Sequence, residues 1–228
     1  MCDLYERAGQ LAERGVHVVS TDEKTGMQAL ERLHPDVPMG PGRVQGREYE
    51  YVRHGTLCLI ANLEIWCGHV IAPSVGPTRN ERDFKAHVEQ TVSTDPLAGW
   101  VFIVDNLDTH QSESLVLYVA QACGIEADLG EKGKSGVLKC KASRKAFLSD
   151  PSHRIRFAYT PRHCSWLNQI EIWFGILSRK LLRRASFASA ADLKDRVLAF
   201  IAYFNRTMAR PIRWLYSPRP LKDAPSTG

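Results

Sequence analysis

Hydrophobic and polar positions change period several times along the chain, and each period predicts an element. Residues 3–15 repeat every three to four positions. Leu4, Ala8 and Leu11 share one helical face, and Gly15 supplies the stop. HVVSTDE then switches to a two-residue period, which predicts a strand with Val16, Val18, Ser20 and Asp22 on one face. Residues 34–48, HPDVPMGPGRVQGRE, are rich in Pro and Gly and predict a loop. TLCLIANLEIW and CGHVIAPSV read as two strands of a hairpin turning at Cys67 and Gly68.

NERDFKAHVEQTV predicts a helix, WVFIVD a buried strand, and ESLVLYVAQACG a helix ending at Gly124. Residues 125–153 break this rhythm. They are rich in Gly, Lys and Ser, with few apolar residues in register, and predict an insertion that loops outside the core. RIRFAYTP is the next strand. From Ser165 to about Arg184, Leu167, Ile170, Phe174, Leu177 and Leu181 recur at helical spacing. Ser189 and Asp192 begin a last helix in capping-box fashion, with Leu193, Val197, Phe200, Ile201 and Phe204 as its apolar stripe. A hairpin followed by strands that alternate with helices implies an α/β fold: a mixed sheet with covering helices.

Composition fits a globular chain: 228 residues, 44% hydrophobic and 24% charged. The net charge of +5 is compatible with a polyanionic partner and equally with plain solubility. Six cysteines stand apart, with no C-x-x-C pair and no zinc spacing, so reduced thiols in a cytoplasmic protein are expected. No run approaches the ~18 apolar residues of a membrane span.

One stretch raises a chemical question. VFIVDNLDTH begins as a buried strand and stops on Asp105. A carboxylate at the C-terminal end of a strand stands where α/β proteins hold their ligands. Asp22 is expected in the same position at the end of the first strand. Each of them alone also suits a turn cap. Glu171 adds a third acid, within the apolar stretch WLNQIEIWF. It falls roughly 80° from the centre of the Leu167–Leu181 stripe, at the edge of a helix expected to be well buried because Ile172, Trp173 and Ile176 make its far side apolar too. A buried carboxylate needs a cation beside it, either a metal ion or an arginine. Three carboxylates without Cys or clustered His favour a hard ion, Mg²⁺ or Mn²⁺. Two such ions about 4 Å apart suit phosphodiester chemistry.

STDEKTGMQALER, EYVRHGTLCL, VDNLDTH, YTPRHCSWLNQIEIWF and YFNRT together resemble the DDE catalytic domain of bacterial insertion-sequence transposases of the insertion-sequence-630/mariner-like superfamily. The likeness runs from about Val16 to Leu221. It implies an RNase H-like fold, with Asp22, Asp105 and Glu171 as the acidic triad on two divalent ions. It implies a catalytic domain over 16–221 holding the insertion 125–153, after a linker helix over 1–15 and before a flexible tail over 222–228. The implied activity is hydrolysis at the element ends and strand transfer into a target duplex. Implied partners are DNA and either a homo-oligomer or a helix-turn-helix subunit encoded upstream, in a nucleoid-associated setting. The second and third acids are 66 positions apart (171 − 105), wider than the spacing common in the superfamily. The family's N-terminal helix-turn-helix modules have no counterpart in the fifteen residues before the first strand, so the chain is expected to be a fragment, a split-frame product or a stand-alone domain.

Other residues carry weaker signals. Asn106, His110 and Asn168 could orient ligands or water, or serve as a turn, a surface-loop and a cap residue. Arg179, Lys180, Arg183 and Arg184 lie opposite the apolar stripe, on a face suited to solvent or to phosphates. Arg43, Arg47, Arg53 and Arg79 are read as loop cations with the same two uses, and Lys24 belongs with them. Trp66, Trp166 and Trp173 are expected in the core. Gly133-Lys134-Ser135 imitates the end of a phosphate loop, but Asp128 stands where that motif needs Gly. Two rival functions are a metal-dependent nuclease without strand transfer and a non-catalytic DNA-binding remnant.

Overall fold

Strand β1 (Val16–Arg32) organises the sheet, with β2 (Tyr51–Glu64), β3 (Val70–Gly76), β4 (Gly99–Val104) and β5 (Ile155–Tyr159). The computed structural model describes residues 2–34, 38–42, 44, 46, 50–161 and 164–214. The strand order is β3-β2-β1-β4-β5. β1, β2 and β3 run antiparallel, while β4 and β5 run parallel to β1. This is the mixed sheet that the hairpin and crossovers predict. Sequence periodicity misses the length of β1. The strand does not stop near Asp22 but continues ten residues further, paired with β2 across two irregular steps at Lys24/Met27 and Gln28/Leu30. Those steps disturb the two-residue alternation on which a strand is read.

Helices α1 (Cys2–Ala12), α2 (Glu81–Ser93), α3 (Glu113–Ala122), α4 (Lys141–Leu148), α5 (Ile170–Leu177) and α6 (Ala190–Thr207) cover both faces. On one face α2 and α3 pack over Val19, Ile60, Trp100, Phe102, Val104 and Phe157. On the other, α5 and α6 cover Met27, Ala29, Leu57, Leu59, Ala61 and Leu63. α1 sits on that second face, with Tyr5 and Ala8 against Val18, Val101 and Ile103. Its Tyr5 hydroxyl donates to the Leu167 carbonyl at 2.5 Å. The alternation of Cβ directions explains the split, since odd and even positions of a strand face opposite layers. The hairpin turn needs glycine at Gly68, where φ is 75° and a Cβ would meet the Arg210 carbonyl oxygen at 2.0 Å.

Several expectations need correction. The segment 125–153 lies between α3 and β5 as an insertion, but it is not outside the core. It folds into a 3-10 turn (Val137–Lys139) and α4. Leu138 and Leu148, at 4% and 0% exposure, join the α2/α3 core. Two leucines at the right places suffice to cover the sheet edge, although no periodic face announces them. Trp173 is buried, whereas Trp66 and Trp166 are about half exposed. Ile172 is 44% exposed, so the far side of α5 is not covered as expected. Arg53 lies on β2 rather than in a loop. The loop reading of 34–48 lies partly outside the described residues, and Arg43, Arg47 and the tail 222–228 lie wholly outside them. All six cysteines are free thiols, and among the described residues no helix is long and apolar enough to cross a membrane.

Candidate active site

The three candidate acids come from three elements, and the sheet register aligns two of them. β1 and β4 pair in parallel from Val16↔Gly99 to Ser20↔Ile103, a constant offset of 83. Carried two positions further, that offset sets Asp22 opposite Asp105 (22 + 83 = 105). Both follow residues that face α1 and α5: Val18 and Ser20 on β1, Val101 and Ile103 on β4. Asp22 is thus at the end of the parallel ladder, although it is inside β1.

Glu171 arrives on the first turn of α5, and a buried polar clamp fixes that turn. The Ser20 hydroxyl donates to the Asn168 side-chain oxygen. It also accepts from the Ile170 backbone N–H at 2.9 Å, satisfying one orphan donor of the helix start. The Asn168 amide donates to the Thr21 carbonyl at 3.0 Å and to Asp22 Oδ2 at 3.1 Å. Asn168 has no exposure. It is therefore a clamp between β1 and α5 and not a solvent-facing cap. Glu171 itself is exposed, facing out beside the clamp.

The inner acids differ in their electrostatics. Burial pushes the Asp22 carboxyl up to about 7, and the charges of Glu23, Asp105 and Glu171 push the same way against one backbone hydrogen bond. Asp105 goes the other way. Burial would raise it, but hydrogen bonds from His110 and the Leu107 N–H, with the charges of His110 and Arg79, hold it below the usual carboxylate range. His110 is fully buried, against the surface-loop reading. Its Nδ1 lies 2.8 Å from Asp105 Oδ1, and its Nε2 3.1 Å from Glu23 Oε1. Burial alone would depress this imidazole; the two carboxylates outweigh it and raise it to about 9.

Residues 17–194 match the family described as DDE superfamily endonuclease, which is more than three quarters of the chain. The chain belongs to this family. Among solved structures it is similar to the Mos1 mariner paired end complex with Mn, with a TM-score of 0.51 at 11% identity over 88% of this chain. It is also similar to the Mos1 transposase paired-end complex with left transposon end, with a TM-score of 0.49 at 12% identity over 88% of this chain. The chain spans 55% of the length of each of those chains. At such identity the first likeness speaks for the fold, which is RNase H-like. No curated protein matches.

The donor set suits a hard cation. It offers carboxylate oxygens, and the burial that chiefly raises Asp22, with the charges of Glu23, Asp105 and Glu171 adding to it, is what a cation would offset. Among the described residues no three acidic, His or Cys side chains are drawn close enough to form a ready ion cage. Each inner carboxylate already has hydrogen bonds that orient it: Asp22 Oδ1 accepts from the Glu23 N–H at 2.8 Å, and Asp105 Oδ1 from the Leu107 N–H at 2.9 Å.

The basic residues separate into groups. Lys24, Arg179 and Arg183 line a cavity of ≈ 260 Å³ together with Glu171, Phe174, Gly175 and Ser178. α5 continues there as a π-helical turn, Ser178–Leu182. Gly175 makes room, because a Cβ would lie 3.1 Å from an Arg179 guanidinium nitrogen. Lys180 and Arg184 are exposed on the same turn but do not line that cavity. Arg79 is near enough to influence Asp105. Arg53 is exposed on β2. Asn106 is fully occupied, donating to the Thr160 carbonyl and accepting from Lys145 Nζ, each at 2.6 Å. Ser20, Glu23 and Lys145 escaped the sequence reading. Only Glu23 carried a signal, as a charge inside a strand otherwise turned inward at that face.

Raising a carboxyl pKa in the folded state has a definite sign. The folded, metal-free protein holds a proton on Asp22 up to about pH 7, whereas the ordinary carboxyl releases it near 3.8. Asp22 therefore costs increasing stability as pH climbs between those values, and a constant amount above them. In chelator, Asp22→Asn should melt above wild type at pH 8 and lose that advantage by pH 4. The difference is on the order of a few kcal/mol, or several degrees, and thermal denaturation across pH measures it. A pH-independent difference would contradict the assignment.

Proposed function

We propose that this chain is the catalytic domain of a DDE transposase, cutting phosphodiesters at element ends and joining the freed 3′-hydroxyl to target DNA. The observation carrying this reading is the β1–β4 register, which carried two positions further sets Asp22 opposite Asp105, together with the bond from Asn168, three residues before Glu171, to Asp22. In this reading Asp22, Asp105 and Glu171 hold two Mg²⁺ or Mn²⁺ ions. Such a pair activates the attacking oxygen and stabilises the leaving one. Asn168 and His110 orient the carboxylates. Lys24, Arg179 and Arg183 receive strand phosphates next to Glu171. Among the described residues none of these three side chains has a hydrogen bond or ion pair within the protein, which leaves their charge for an external polyanion. The catalytic unit is 16–221, acting on DNA as a homo-oligomer or with a helix-turn-helix subunit, in the nucleoid.

The test incubates the chain with Mn²⁺, a labelled duplex ending in the inverted repeats of its element, and a target plasmid. Products joined to the plasmid support the proposal. Cleavage without joining would favour the plain nuclease, and Mn²⁺-independent inertness the DNA-binding remnant.

The basic cavity makes a separate prediction. Phosphate contacts contribute about 0.9 each to the slope of log affinity against log salt. Arg179→Ala and Arg183→Ala should each reduce that slope by about one unit, equally on element ends and random duplex, because phosphate contacts position without specifying. Fluorescence anisotropy over a salt series measures it. A loss confined to one sequence would contradict a backbone role.

A further inference from the structure

We infer that Glu23 is a positioning residue for the reaction, holding Asp105 through the ring of His110. The inference rests on the reading of Asp105 as a metal-binding acid. Glu23 follows Asp22 directly, and strand alternation turns it to the opposite face of the sheet. Asp22 meets Asn168 and α5; Glu23 enters the layer of α2 and α3. Its side chain is 2% exposed, a costly place for a carboxylate without a partner. Among the described residues the His110 ring is the only side chain that hydrogen-bonds it.

His110 has little freedom to do anything else. Phe84 covers its ring at 4.2 Å between centroids. The Tyr159 hydroxyl donates to its carbonyl at 2.7 Å, and its own N–H donates to the Leu107 carbonyl at 3.1 Å. Ionised carboxylates only accept hydrogen bonds. With Glu23 on Nε2, the ring turns Nδ1 to Asp105 as a donor. Nδ1 stands 2.8 Å from Asp105 Oδ1, within reach of the Asp105 carbonyl at 3.3 Å as well, and Oδ1 also accepts from the Leu107 N–H. Among the described residues Oδ2 has no hydrogen bond. The rim of the sheet is thereby crossed by a chain of three side chains, from a buried acid on one face to a site acid on the other.

Partners that orient metal-binding groups from behind typically change metal affinity or activity by about 10–100-fold when removed. The experiment replaces Glu23 by Leu, similar in size but unable to accept, and by Gln, which can still accept. His110→Phe keeps the stacking on Phe84, and Glu23→Leu/His110→Phe completes a double-mutant cycle. Mn²⁺ affinity is measured by calorimetry without DNA. Glu23→Leu should weaken it about tenfold or more, Glu23→Gln less, and the double variant no more than His110→Phe alone. In metal-free protein, the slowly exchanging His110 ring N–H signals should be seen in wild type and lost in Glu23→Leu.

Wild-type Mn²⁺ affinity in a folded Glu23→Leu protein, or additive losses in the double variant, would overturn the inference. If Glu23→Leu does not fold, Glu23→Ala, which also cannot accept, is judged by the same two readouts, and unchanged values in both overturn it. Should wild type fail to bind Mn²⁺, the transposase reading falls. The ring signals of the metal-free protein then decide whether Glu23 holds His110, and their persistence in Glu23→Leu shows that it does not.

Discussion

Replacing Asp105 by Asn should abolish metal-dependent cleavage while leaving the fold and DNA affinity in place. The amide keeps the oxygen that accepts from His110 Nδ1 and the Leu107 N–H. What it loses is the negative charge a hard cation requires. Charge stabilisation by bound metal amounts to several kcal/mol, so at 1.36 kcal/mol per factor of ten the loss should be about 10³-fold or greater. Single-turnover cleavage in Mn²⁺ measures it, with circular dichroism and anisotropy as controls for fold and binding. Activity within tenfold of wild type would reduce Asp105 to a turn residue.

Leu148→Ala should destabilise the protein by roughly 3–5 kcal/mol, the range for a leucine truncated in a packed core. Leu148 has no exposure and belongs to the cluster containing Trp100, Phe102 and Phe157. Deleting 125–153 should be worse, because Lys145 also leaves Asn106 and the Tyr159 ring, which it covers at 4.6 Å. Chemical denaturation measures the first. A change under about 1 kcal/mol would return the segment to the periphery, since surface substitutions usually stay within that range.

Much of this molecule is legible in its sequence, for identifiable reasons. β4 and β5 are short and apolar, and the α3 and α6 ends carry Gly124 and the Ser189 cap, so local signals coincide with the tertiary outcome. The candidate acids stand out in the sequence because they follow or interrupt apolar runs. What escaped depends on contacts distant in sequence. β1 beyond Asp22 is held by β2 across irregular pairing, which no local period records. α4 has one buried side chain, Leu148, too little for a stripe, yet it closes a core built elsewhere. For His110 and Asn168 a site role and a loop or cap role stayed equally open, because the partners that fix them, Glu23, Ser20 and Thr21, lie 87 to 148 positions away. Ile172 looked like core because apolarity alone does not say on which side a helix stays open to solvent.

The clamp of Ser20 on Asn168 has a consequence for how the chain acquires its chemistry. The two residues are 148 positions apart, and the β1–β4 pairing spans 83. Contacts of such separation are formed slowly, because the loops between them must close before anything is gained. A chain growing from its N-terminus at about 5–20 residues per second has made Asp22 and Asp105 well before it has made Asn168 and Glu171. Until that last piece docks, two acids repel each other across an open rim and the third is elsewhere. If these acids form the proposed centre, it is the final thing assembled, and a nascent or partly unfolded copy holds an incomplete set of them.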